Sequence, residues 1–241
     1  YSVGNKRYEK KPDEYDLELI RKIEESEIPY WYHTDPMMFK GEQWGDTWRA
    51  GYHFGITHVH HFYTRRALYV ITAFVRKAFL RNKRALWLAT AITEGSSKLN
   101  RERPFGLPSK LSGTLYVSSM IREINALDFL ERKIRKYQTF GRLATVIISC
   151  QSSTKIEIPG ESVDYIFTDP PFGGNLMYSE LNFLWEAWLR VFTNNKPEAI
   201  ENKAQGKGPR EYQELMEKCF AEYYRVLKPG RWMTVVFHNS Q

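Results

Sequence analysis

The chain has 241 residues, of which 42% are hydrophobic, and a formal net charge of +7. This length predicts one domain with room for an appendage, and the hydrophobic content is too high for wholesale disorder. Two cysteines, Cys150 and Cys219, are too few for a disulfide scaffold or a four-cysteine zinc site, and no apolar run is long enough to span a membrane. We therefore expect a cytoplasmic protein without a membrane partner.

Positive charge is concentrated in one part of the chain. Residues 65–142 hold 17 Lys and Arg against 5 Asp and Glu, a surplus of 12, whereas the rest of the chain is acidic on balance. Such a zone favours a polyanionic partner such as nucleic acid; the alternative is a solvated surface coated with Lys and Arg. The best candidates for contacts with DNA phosphates lie in or beside the polar loop after Gly95: Lys98, Arg101, Arg103 and Lys110.

The first 54 residues are predicted to form an N-terminal arm. Pro12 and Asp13 mark the start of an amphipathic helix, in which four aliphatic residues lie roughly on one face: Leu17, Leu19, Ile20 and Ile23. From residue 29 onward, prolines, glycines and aromatic residues occur without a period. This pattern predicts an irregular, packed segment.

Residues 58–137 are predicted to be mainly helical. Apolar residues at helical spacing predict two helices within residues 58–94, broken near Arg81–Asn82. Thr114–Val117 is a candidate short strand. Ile121–Tyr137 is predicted to be a helix, with its apolar face on Ile121, Ile124, Leu127, Leu130 and Ile134.

Three histidines, His58, His60 and His61, form a cluster in the sequence. Because no Cys or carboxylate lies close by, packing or hydrogen bonding is favoured over metal binding, and no metal site is predicted.

Strands and helices alternate from residue 145 onward. Thr145–Ser149, Val163–Thr168 and Trp232–Phe237 are short apolar runs that predict strands. Leu176–Phe192 and Glu211–Leu227 have the apolar stripes of helices. This alternation predicts an α/β fold with a parallel sheet.

Ligands of parallel sheets bind beyond the carboxyl ends of the strands. The first predicted strand leads into Cys150–Ser153, the second into Asp169–Phe172, and the third into His238 and Asn239. We expect these three sets to lie along one edge of the sheet. For His238 a structural role is favoured, and the alternative is a base that accepts a departing proton.

The second strand end has a distinctive chemistry. Pro170 and Pro171 fix the backbone and remove two N–H donors, so that carbonyl oxygens remain as acceptors. Asp169 adds a carboxylate and Phe172 an aromatic face. Acceptors beside a flat ring suit a planar base with an exocyclic amino group, which they would hold in position for reaction. The alternative is a strand-to-loop corner closed by prolines.

The sequence Thr168-Asp169-Pro170-Pro171-Phe172 resembles the catalytic signature of S-adenosylmethionine-dependent amino-methyltransferases that act on nucleic acid. The motif also occurs in RNA guanine-N2 methyltransferases and, with variation, in protein glutamine methyltransferases. Longer stretches favour the DNA branch, because they resemble a set of large prokaryotic adenine-specific DNA methylases: residues 55–68, 96–101, 163–189 and 222–240.

This resemblance implies a Rossmann-like class I methyltransferase fold, spanning residues 55–241, with the helical and irregular arm of residues 1–54 before it. It implies site-specific methylation of DNA at adenine N6, as in restriction–modification. Asp169 and the Pro170 carbonyl would bind the amine, Pro171 would complete the motif, and Phe172 would stack on the base after it leaves the duplex. An RNA amino-methyltransferase is the alternative enzyme.

The resemblance also implies residues that contact S-adenosylmethionine. The segment His61–Arg66 resembles the family's helix-opening segment near the cofactor, which makes Tyr63, Thr64 and Arg66 candidates. Ser152 and Ser153 occupy the place where such folds approach the cofactor's adenine, although the family often has an acidic residue there.

One expected feature is missing from the sequence: no strand is followed by the glycine-rich turn on which these enzymes bind the cofactor. The chain also begins at Tyr1 without a Met. These observations predict a fragment that carries the amine-binding half of the enzyme, with the upstream part of the same protein as its partner. A nucleic-acid-binding fragment without independent catalysis is the alternative from another class.

Overall fold

The computed structural model describes residues 2–238 except 4–5, 35, 38–44, 50, 54, 82–84, 103–109 and 139–145. Within these residues the fold is mixed α/β, with seven α-helices, one parallel pair of strands and a short N-terminal hairpin. The predicted α/β class is confirmed at this level. The domain boundary near residue 54 stays a prediction.

The N-terminal arm begins with the hairpin of β1 (Ser2–Val3) and β2 (Lys6–Arg7). Helix α1 (Glu14–Glu25) starts where the sequence predicts. Its start is fixed by a capping box, in which Asp13 accepts from the Asp16 amide and Asp16 accepts from the Asp13 amide.

Six further helices follow. Their bounds are α2 (Asp46–Arg49), α3 (Arg65–Arg81), α4 (Leu86–Gly95), α5 (Ala126–Gln138), α6 (Tyr178–Leu189) and α7 (Pro209–Val226). The end of α3 at Arg81 matches the predicted break. Among the described helices, none combines the length and apolar character needed to cross a membrane.

The core lies among α3, α4 and α6. Trp188 of α6 is fully buried and donates its indole N–H to the Tyr63 hydroxyl at 3.1 Å. Ile71 of α3 and Ile92 of α4 are also fully buried in this cluster. Ile28 joins the same core from the arm, so that part of the arm packs against the helices.

Two predictions between residues 114 and 137 are corrected. Thr114–Val117 is irregular rather than a strand, and the Val117 amide donates to the Tyr52 carbonyl at 2.9 Å. The helix predicted from Ile121 begins only at Ala126, because the Asn125 side chain accepts from the amides of the first turn.

The parallel sheet consists of β3 (Val163–Thr168) and β4 (Leu227–Val235). The bounds of β3 are those that the sequence predicts. Tyr165 lies beside Trp232, and the regular pairing continues to Thr168 beside Val235. The stretch after Leu227 bulges around Gly230, whose φ of +72° favours glycine. The second and third predicted strands, which are separated by both predicted helices, are therefore adjacent and parallel.

The first predicted strand, Thr145–Ser149, is wrong over the part that the structure describes. Residues 146–150 are irregular, and Ile147 is 96% exposed. A β-branched run forms a strand only when a neighbour pairs with its backbone, and no such neighbour is present in the described residues.

Candidate functional site

The Asp169–Phe172 motif begins where the sheet pairing ends. The Thr168 carbonyl accepts the last inter-strand hydrogen bond, from the Val236 amide at 2.9 Å. Neither Pro170 nor Pro171 has an N–H to continue the pairing. The chain therefore leaves the sheet at Asp169, at the carboxyl end of β3.

The motif presents two free acceptors. The side chain of Asp169 is exposed, whereas Pro170 is buried, and neither the Asp169 carboxylate nor the Pro170 carbonyl has a hydrogen-bond partner within the described residues. The Pro171 carbonyl differs, because it accepts from the Tyr212 hydroxyl of α7 at 2.8 Å. Tyr212 thus anchors the motif to α7 through the Pro171 carbonyl and does not use the Asp169 carboxylate or the Pro170 carbonyl.

The aromatic face of the motif packs against the end of β4. The Phe172 ring lies edge-on to Phe237, with centroids 5.6 Å apart, and to His238, with centroids 6.4 Å apart. The prediction that these two strand ends meet is confirmed. Asn239 lies outside the described residues.

A tight turn after Phe172 braces the motif from the other side. Gly173 has a φ of +56°, and its carbonyl accepts from the Glu201 amide at 3.1 Å. A side chain at Gly173 would be strained by this φ and would meet the Glu201 carboxylate, since an added Cβ lies 3.0 Å from its Oε1.

The strongest polar anchor near the motif is Glu180, which sequence reasoning missed. Its carboxylate is fully buried and accepts from the Asp46 amide at 3.1 Å, the Thr47 amide at 2.8 Å and the Asn202 side chain at 2.7 Å. Glu180 thereby ties α6 to the arm and to the segment that braces Gly173. The sequence signal that could have identified Glu180 is a carboxylate among the apolar residues of a predicted helix, because a buried carboxylate needs hydrogen-bond donors around it.

Ser152 and Ser153 lie in a turn that packs toward α7. The Ser152 hydroxyl bonds to the Thr154 hydroxyl at 2.8 Å, and the following Ile156 amide donates to Glu222 of α7 at 2.9 Å. Hydrogen bonds from Arg225 and from the Ile156 amide lower the pKa of Glu222 to about 2. In the described part of the chain, no hydrogen bond joins Ser152 or Ser153 to Asp169–Phe172.

Thr64 and Arg66, two of the predicted cofactor contacts, both bind Glu123. The Thr64 hydroxyl donates to Glu123 at 2.6 Å, and the Arg66 guanidinium donates to both carboxylate oxygens. Burial acts to raise the pKa of Glu123, but these hydrogen bonds outweigh it and lower the pKa. Thr64 and Arg66 together form a binding site for a carboxylate, and in this structure the carboxylate of Glu123 occupies that site.

Tyr63, the third predicted cofactor contact, is a core residue in the structure. Its side chain is buried against Trp188, and burial raises the pKa of its hydroxyl. Its hydroxyl already accepts the Trp188 N–H.

The three clustered histidines pack against one another. The ring centroids of His60 and His61 are 4.3 Å apart, and those of His58 and His61 are 4.9 Å apart. Burial and the neighbouring rings lower the pKa of His60 to about 4. No group of three or more metal-ligating side chains suited to an ion is found among the residues that the structure describes.

The predicted phosphate contacts occupy different surroundings. Burial lowers the pKa of Lys98, whose amide donates to the Phe62 carbonyl at 2.7 Å. Arg101 forms an isolated bridge with Ile121. Lys110 pairs with Glu94 and lies 5.9 Å from the Trp185 ring centroid. Arg103 lies outside the described residues.

Most of the residues predicted to hold S-adenosylmethionine make hydrogen bonds within the chain, and their role in cofactor binding stays a prediction. Glu123 occupies Thr64 and Arg66, the Ser152 hydroxyl bonds to Thr154, and the Tyr63 hydroxyl is used in the core. The glycine-rich turn that would receive the cofactor is absent from the sequence.

Comparison with known protein families, with curated proteins and with solved structures gave no match.

Proposed function

We propose that the chain is the amine-binding half of an S-adenosylmethionine-dependent DNA methyltransferase, with adenine N6 as the favoured target. The observation that carries the proposal is a pair of acceptors at the carboxyl end of β3, the Asp169 carboxylate and the Pro170 carbonyl, which make no hydrogen bond to the described residues. The motif's resemblance to the methyltransferase signature supports the same assignment.

The chemistry of the pair suits an exocyclic amine. An adenine amino group has two N–H bonds, of which one is donated to Asp169 and the other to the Pro170 carbonyl. Both hydrogen bonds together orient the nitrogen and direct its lone pair away from the protein acceptors. The ring of Phe172 beside them provides an aromatic surface for the base.

A paired base cannot reach these acceptors. In a duplex the adenine amino group is hydrogen-bonded to thymine and the ring is stacked, so the base must first leave the helix. The cationic zone of residues 65–142 supplies the charge that holds the DNA backbone while it does so.

The methyl donor is the part of the reaction that these residues do not hold. Since the predicted cofactor residues are engaged within the chain, we assign the chain amine binding and orientation. We assign the binding of S-adenosylmethionine mainly to a partner segment or polypeptide that carries the glycine-rich turn.

The test is a preference for adenine over purine, its analogue without the amino group. DNA duplexes with one unpaired adenine or one unpaired purine should differ about tenfold in affinity, because two hydrogen bonds, one of them to a charged group, are lost. Asp169→Ala and Asp169→Asn should abolish most of this preference. Asp164→Ala, which removes an exposed carboxylate on the same strand, is the matched control and should retain it. Equal affinity of the wild-type chain for adenine and purine contradicts the proposal.

A nucleic-acid-binding module without catalysis of its own is the second candidate function. The engagement of Thr64 and Arg66 by Glu123 favours it. The comparison of adenine with purine distinguishes the two, because such a module should bind DNA without a preference for adenine. Titration with S-adenosylmethionine, followed by heat flow, then shows whether the chain binds the cofactor without a partner. If the cofactor binds, methyl transfer to DNA and to tRNA should be compared, since faster transfer to tRNA identifies an RNA enzyme.

A further inference from the structure

A cavity of about 620 Å³ lies between α4, α5 and α6, outside the Asp169 site. Phe129 of α5 and Trp185 of α6 provide aromatic walls. Phe129 packs closely on α4 because Gly95 has no side chain, and a Cβ at Gly95 would lie 2.2 Å from the tip of the ring. The volume is within the range of small-molecule sites.

Two lysines line the cavity, and they differ in their partners. Lys110 forms an ion pair with Glu94, and burial lowers the pKa of Lys110. Lys133 lies 5.3 Å from the Phe129 ring centroid, and no carboxylate in the described residues lies within ion-pair distance of it. The cavity therefore combines two aromatic rings with two lysines: Lys110 is paired with Glu94, and Lys133 contacts the Phe129 ring but makes no ion pair within the described residues.

A hydrogen-bond acceptor completes the lining. Asn100 donates its side-chain amide to the carbonyls of Gly95 at 2.8 Å and Ser97 at 3.0 Å. These bonds fix the orientation of the amide, and no hydrogen bond within the described residues uses its side-chain oxygen. An acceptor is thus held in place at the cavity wall.

We propose that this cavity binds a nucleoside 5′-phosphate. The base stacks on Phe129 and Trp185, the phosphate pairs with Lys133, and the Asn100 oxygen and the Glu94 carboxylate accept from the base or the sugar. Aromatic stacking beside a cation is the combination by which proteins hold single nucleotides. The proposal concerns a site separate from Asp169 and does not depend on methyl transfer.

Calorimetric titration of the whole chain with AMP, adenosine and inorganic phosphate tests the proposal. AMP should bind about tenfold more tightly than adenosine, because a charge-assisted contact to Lys133 is added. Lys133→Ala should remove this difference and leave adenosine binding unchanged. Lys77→Ala, an exposed lysine of α3 in the same cationic zone, is the matched control and should change neither.

A separate variant tests whether the base stacks on the aromatic walls of the cavity. Trp185→Leu should weaken both AMP and adenosine about tenfold, because stacking is lost for each. The thermal unfolding of each variant is recorded first, and Phe129→Leu replaces Trp185→Leu if the latter is unfolded. Absence of AMP binding at millimolar concentration, or equal losses in Lys133→Ala and Lys77→Ala, would overturn the proposal.

The nucleoside phosphate that binds in the cavity is either a free nucleotide or one nucleotide of a single-stranded nucleic acid. A short single-stranded oligonucleotide displaces AMP at micromolar concentration if the cavity binds a strand. It leaves AMP in place if the cavity binds free nucleotides. Both results support a nucleotide site, and they assign its source.

Discussion

The helical core buries Trp188 and Phe62, whereas the two-stranded sheet exposes its large aromatic residues. Trp188 of α6 is fully buried, but Trp232 of β4 is 79% exposed beside Tyr165, which is 54% exposed. Parallel sheets in proteins are normally covered on both faces. The comparison indicates that the helices carry the stability of this chain, and that the sheet contributes a surface and the Asp169 motif.

The largest contrast is expected between two tryptophans. Trp188→Ala should lower the free energy of unfolding by about 3–5 kcal/mol, because it leaves a cavity and removes the partner of Tyr63. Trp232→Ala should lower it by no more than about 0.5 kcal/mol, since the ring is mostly exposed. Urea unfolding measures both, and equal losses would contradict the assignment of the core to the helices.

The second prediction concerns Glu180. Glu180→Ala should cost about 2–4 kcal/mol, because two backbone amides and the Asn202 side chain lose a buried acceptor. Glu217→Ala on the exposed face of α7 is the control and should change stability by less than about 0.5 kcal/mol. A neutral Glu180→Ala would mean that α6 does not depend on its tie to the arm.

Acid should destabilise the helical part through buried histidines. His53 is fully buried, and burial lowers its pKa to about 4, against 6.5 ordinarily. A group whose pKa is lower in the folded state binds more protons when unfolded, so stability is retained above about pH 6.5 and is lost as the pH falls toward 4. Urea unfolding at several pH values checks this.

Replacement of His53 tests whether this residue causes the pH dependence of stability. His53→Phe should flatten the slope, because no proton uptake remains at this position. An unchanged slope in His53→Phe would exclude His53 as a source of the acid sensitivity.

The smallest effect is expected at the start of the sheet. Lys228 and Arg231 pair with Asp164 at 3.0 and 3.3 Å, and all three side chains are exposed. Lys228→Ala should therefore cost no more than about 0.5 kcal/mol, and less in high salt. A loss above about 2 kcal/mol would show that the sheet is stabilised by its charges rather than by α7.

Sequence patterns predicted the elements whose partners are close in the chain. The start of α1 follows from Pro12 and Asp13, since a cap acts within one turn, and the end of β3 follows from the two prolines after Asp169. The meeting of Phe172 with His238 follows from the topology of a parallel pair. Such features depend on local rules or on one simple crossover.

The remaining features depend on contacts between distant segments, which no local pattern encodes. Thr145–Ser149 has the composition of a strand but lacks a neighbouring strand among the described residues. The engagement of Thr64 and Arg66 by Glu123 joins positions about 57–59 apart in the chain. Tyr212, which holds the Pro171 carbonyl, lies 41 residues further along. None of these partners has a spacing that sequence alone makes visible.

The most direct test of the central claim observes the amino group itself. An oligonucleotide with one unpaired adenine, labelled with ¹⁵N at the amino nitrogen, is followed by NMR as the chain is added. Hydrogen bonds to Asp169 and Pro170 should move the amino proton signals downfield, and Asp169→Ala should reverse most of this shift. A bound oligonucleotide whose amino signals do not move, or move equally in Asp169→Ala, would contradict the account.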